Sequence, residues 1–92
     1  MIFRNHLPKQ NVHNFQQDGR HATIVLQAIA ARIAKNDETL RYIPDDSSRE
    51  YIVKDTQECF DIIDDLTAVF IHHLPPKVVK MILQAEGVSR DV

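Results

Sequence analysis

A single cysteine, Cys59, is all this 92-residue chain offers for covalent cross-linking, so an internal disulfide is excluded and a reducing compartment suits it. Two glycines, Gly19 and Gly87, are too few for a phosphate-cradling loop of the usual kind. No apolar run approaches the ~18 residues that a membrane-spanning helix needs. The first twenty residues also lack the continuous apolar stretch of a secretory signal. The expectation is a cytoplasmic protein. Gly-x-Ser-x-Gly, His-Glu-x-x-His and Cys-x-x-Cys are all absent, so the sequence gives no reason to expect an enzyme.

Charge is what the chain has, and it is segregated. The net charge is −2. Residues 1–35 carry Arg4, Lys9, Arg20, Arg32 and Lys35 against Asp18 alone, a net +4. Residues 36–71 carry ten acids against Arg41, Arg49 and Lys54, a net −7. Residues 72–92 return to +1. A chain polarised in this way can pair its own halves, within one molecule or across a symmetric dimer. It lacks the concentrated basic face of a general nucleic-acid binder.

The pattern reads as all-α: a small three-helix domain, built as a helical hairpin plus a short C-terminal helix. Residues 1–17, rich in Asn, Gln and His, read as an irregular N-terminal arm, and residues 18–92 as a single helical domain. Asp18 suits an N-cap, since its carboxylate can accept the free amides of a first turn. Ala22, Leu26, Ile29 and Ile33 then recur at helical spacing, with Asn36 as a terminator. Residues 40–53 allow two readings. Leu40–Ile43 and Tyr51–Val53 could pair as a short β-hairpin, or Ser47 and Glu50 could form a capping box that starts the second helix at once. The early helix is preferred, because residues 51–53 continue the apolar face that follows.

In that second helix Ile52, Cys59, Ile63, Leu66 and Phe70 share one face, widened by Phe60, Ile62 and Val69. Pro75 and Pro76 stop it at residues 72–74. Pro76 is apt as the first residue of a third helix, with Val78, Val79, Ile82 and Leu83 inward. Gly87 should end that helix, letting Val88 touch Leu83 in a Schellman turn.

Candidate sites come mostly with ordinary explanations. Glu58, Asp61 and Asp65 fall opposite the apolar face and read as a solvated acidic surface, available to a partner. His72 lies seven residues beyond Asp65, ~10 Å along the axis, too far to share one ion with it. His6, His13 and His21 have no zinc-site spacing. No metal and no cofactor is expected. His72 and His73 sit where helix carbonyls lack partners and the macrodipole is negative, so they read as an end cap, with a pH-sensitive switch as the sharper alternative. Cys59 reads as a buried, inert thiol.

The functional expectation is a non-catalytic protein–protein interaction module: a small homodimeric regulator, adaptor or inhibitor of bacterial or phage type. Its candidate interface combines the alanine-rich side of the first helix, Ala28 and Ala31, with Phe60, Ile62 and Val69 of the second. The alternative is a DNA-binding transcriptional regulator that uses the C-terminal helix and the basic arm.

Overall fold

The computed structural model describes residues 7–44 and 47–89, and side-chain surroundings from Gly19 onward. It contains α1 (Leu7–Leu40), α2 (Ser47–Val69) and α3 (Pro76–Ala85), and no strand among the described residues. The all-α, three-helix architecture is therefore as the sequence predicts. The start of α1 differs. Residues 7–17, read as part of an irregular arm, continue the helix, and only residues 1–6 of that arm lie outside the described residues. The physical reason is that polar Asn, Gln and His do not break a helix. Pro8 falls in the first turn, where its missing N–H costs nothing. Asp18 is thus an interior residue rather than a cap. Asn36 does not terminate α1 either, because its amide is engaged by α2 and the helix runs on to Leu40.

Helix α2 begins at the early start, with residues 51–53 helical, so the β-hairpin alternative is excluded. It ends at Val69, slightly before the expected 72–74, and the chain tightens through turns. Phe70 accepts from the amides of both His73 (3.0 Å) and Leu74 (2.7 Å). Pro75 then stands as N-cap and Pro76 opens α3. At the far end of α3, Gly87 adopts φ +82°. The Gly87 amide donates to Gln84 (3.0 Å) and the Val88 amide to Leu83 (2.8 Å). Those two bonds define a Schellman ending, and both Val88 and Leu83 are buried.

Contacts between α1 and α2 run in opposite directions along the chain. Gly19 meets His73, Arg32 meets Asp55, and the Leu40 carbonyl meets Arg49. The pair is therefore an antiparallel hairpin. Its seam is Ala22, Leu26, Ala30 and Ile33 of α1 against Cys59 and Ile63 of α2, joined by Leu74, Leu83 and Val88. Two of the four α1 seam residues are alanines, which let the second helix approach closely. The Cα radius of gyration is 17.2 Å, against the ~12 Å of a compact domain of this length. An extended hairpin leaves much of its surface without intramolecular cover.

Candidate functional site

One polar cluster ties the two long helices together. The Arg32 guanidinium is bidentate on Asp55, with Nε to Oδ2 at 2.9 Å and Nη2 to Oδ1 at 2.6 Å. Asn36 donates to the same Oδ2 (2.8 Å) and to the Thr56 hydroxyl (3.1 Å). Asparagine and arginine four residues apart on α1 thus clasp one carboxylate. Arg32 first and Asn36 second hold the Asp55 carboxyl below the usual carboxylate range, while Asp55 raises Arg32 in turn. A depressed carboxyl pKa means the clasp stabilises the fold above the ordinary value of 3.8 and is lost as pH falls through the lower folded value. Asp55→Asn should therefore melt below the wild type at pH 7, and the gap should shrink by pH 3. Thermal melts at the two pH values test this; a gap that stays constant would contradict the assignment.

Cys59 sits one turn on, its Sγ 4.0 Å from Asp55 Oδ2. Burial, and then the Asp55 charge, pushes its thiol up. A nucleophile needs the opposite shift.

The Arg32–Asp55 pair also marks one flank of the hairpin, and heptad spacing shows what else lies there. Val25 is seven residues before Arg32, and Ile62 and Val69 are seven and fourteen after Asp55. At 100° per residue these positions stay within ~40° of the ion pair. Ile29 lies between Val25 and Asn36 on the same strip. Val25 is 44% exposed, Ile62 50% and Val69 72%. This flank is an apolar strip with a clasp at one end. The opposite flank of α2 carries Ile63 and Thr67, which face α3 across a cleft of about 680 Å³ lined also by Ile71, Val79 and Leu83. Helix α3 shelters one side of the hairpin only.

The residues expected from the sequence fall on different faces. Ile62 and Val69 come together on the uncovered flank. Phe60 lies ~160° from Ile62 around α2 and is half-buried against the core. Ala28 and Ala31 are exposed on the outer surface of α1, while Ala30, two positions after Ala28 and one before Ala31, sits in the seam. Glu58, Asp61 and Asp65 are all exposed. His72 is exposed, whereas His73 is half-buried, with its ring directly over Gly19. Sequence reasoning counted Ile29 in the apolar spacing of the first helix, where it does pack against the core, but it missed the exposed position of Val25 and the clasp. The signal that could have found them was the heptad Val25–Arg32 facing the heptad Asp55–Ile62–Val69, together with the charge segregation.

Among the described residues, no group of three or more His, Cys, Asp or Glu side chains could hold a metal ion. No helix there is long and apolar enough to cross a membrane. Comparison with protein-family models, curated proteins and solved structures finds no match to this chain.

Proposed function

We propose that this chain is a non-catalytic protein–protein interaction module that works without a cofactor as a small cytoplasmic homodimer, in the manner of bacterial or phage regulators, adaptors and inhibitors. The observation that carries the reading is the exposed flank of Val25, Ile62 and Val69, with half-buried Ile29 beside them. Aliphatic side chains aligned on two adjacent helices are stabilised by leaving water, at roughly 25 cal/mol per Å². Helix α3 lies on the other side, and no described residue covers Val25, Ile62 or Val69 fully. Contiguous exposed apolar surface rimmed by charge is the usual mark of such a contact. A second copy is the commonest cover, because a two-fold axis buries the same patch on both chains.

Light scattering on a sizing column, at several concentrations up to tens of micromolar and at low and high salt, tests the reading. The expected mass is twice the 10.6 kDa of the chain, persisting in high salt because apolar burial is not screened. A strictly monomeric mass would refute the homodimer. Salt-sensitive DNA retardation by the same sample would favour the regulator that uses α3, whose Lys77 and Lys80 are exposed.

A further inference from the structure

The hairpin can meet a second copy through its uncovered flank in two symmetric ways, and charge distinguishes them. With the two-fold axis along the helices, α1 of each chain lies over α2 of the other, and both hairpin tips point the same way. With the axis across the helices, α1 lies over α1 and α2 over α2, and the tips point apart.

Between Gly19 and Asn36, α1 carries Arg20, Arg32 and Lys35 and no acid. Between Asp55 and Asp65, α2 carries Asp55, Glu58, Asp61, Asp64 and Asp65 and no base. On the flank itself Arg32 is the basic side chain of α1, while Glu58 and Asp65 lie within ~80° of Asp55 on α2, so the axis across the helices would bring the acidic edges of the two α2 helices together. The axis along them sets each basic helix against an acidic one. We propose the latter: a four-helix arrangement in which the basic α1 of one chain covers the acidic α2 of its partner, with both tips at the same end. This rests on the homodimer reading above.

The register supports it. Within one chain Arg32 is level with Asp55, and the antiparallel course of the helices then brings Val25 level with Ile62, with Ile29 about one turn to one side and Val69 about two turns (~10 Å) to the other. Turning the second copy about an axis along the helices preserves those levels. Val25 therefore meets Ile62 of the partner subunit, and the apolar strips overlap around that pair. Arg32 comes level with Asp55 of the partner subunit, with Glu58 of the partner subunit ~4.5 Å further along the axis. The Arg32 side chain is still 64% exposed while bound to Asp55, so it can face a second carboxylate. Like charges placed opposite one another discriminate against the wrong arrangement, and opposite charges favour the right one.

The tip residue Tyr42, 81% exposed, provides the test. Tyr42→Cys, spin-labelled, reports the distance between the two tips by pulsed electron resonance. Cys59 is 4% exposed and can stay in place, with labelling of one site per chain verified by mass. Tips at the same end are separated by about two helix diameters, roughly 20–30 Å. Tips at opposite ends lie about fifteen residues either side of the strip's centre, roughly 45 Å apart. The proposal expects the short distance. A distance near 45 Å would overturn the pairing and leave the homodimer standing. A sample without intermolecular coupling that also runs as a monomer would overturn both.

Discussion

Leu26→Ala is expected to cost about 2–5 kcal/mol, the range for removing a fully buried leucine side chain and leaving a cavity. Leu26 has no exposed surface and lies at the centre of the α1 seam, with Ala22 and Ala30 one turn to either side. Those alanines bring the helices close but contribute little volume, so the neighbouring side chains have little with which to fill the gap. A domain of this size has total stability on the order of 5–10 kcal/mol, so the loss takes a large share of it. The melting temperature should fall by roughly 8–40 °C, at ~4–8 °C per kcal/mol for a chain of this length. The control is Ile24→Ala on the same helix. Ile24 is 60% exposed, and its replacement should stay within about ±0.5 kcal/mol. Denaturant melts of the two variants measure this difference. If they lose equal stability, the assigned face of α1 is wrong.

The second large effect concerns Gly19, and its sign depends on a distant residue. Gly19 lies inside α1, where glycine is worse than alanine by ~1 kcal/mol. A simple propensity argument would therefore make Gly19→Ala stabilising. The structure predicts the reverse. A methyl group at position 19 would overlap the His73 ring at Cγ, Nδ1 and Cδ2. The clash includes the ring atom nearest the His73 backbone, so it cannot be relieved by moving only a flexible tip. Overpacking of this kind costs roughly 1–3 kcal/mol. In a His73→Ala background the obstacle is gone, and Gly19→Ala should then stabilise by up to ~1 kcal/mol. A double-mutant cycle reads the change of sign directly. Were Gly19→Ala equally costly in both backgrounds, the Gly19–His73 contact would not be what holds the end of the hairpin closed.

Much of the fold is local, and the local part was legible. The two prolines that separate α2 from α3, the buried spacing of Cys59 and Ile63, and the Gly87–Val88 ending all depend on interactions within a few residues. The extent of α1 was harder to see. Its first eleven residues are mostly polar, and sequence periodicity cannot distinguish a polar helix from an irregular arm. Neither the clasp nor the Gly19–His73 contact could be read locally. Arg32 and Asp55 are 23 positions apart, and only the closed hairpin makes them neighbours. His73 drew attention as a helix-end cap, yet its position is set by a glycine on the other helix. For the candidate interface, the breadth of the apolar arc on α2 was apparent, but not which side α3 would shelter. Ile62 and Val69 consequently belong to the open flank, while Phe60 turns toward the core. Leu66, expected on the core-facing side with Ile63, is only half-buried.

The central claim is that the Val25–Ile29–Ile62–Val69 flank is the surface through which this protein associates. Ile62→Glu places a charge in the middle of that strip, whereas Met81→Glu places one on an equally exposed apolar residue of α3, 61% exposed against 50% for Ile62. Side-by-side light scattering of wild type and both variants at one concentration is the direct measurement. The account predicts a dimeric mass for wild type and Met81→Glu and a folded monomer, verified by circular dichroism, for Ile62→Glu. A dimer that survives Ile62→Glu unchanged, or one abolished by Met81→Glu, would contradict it.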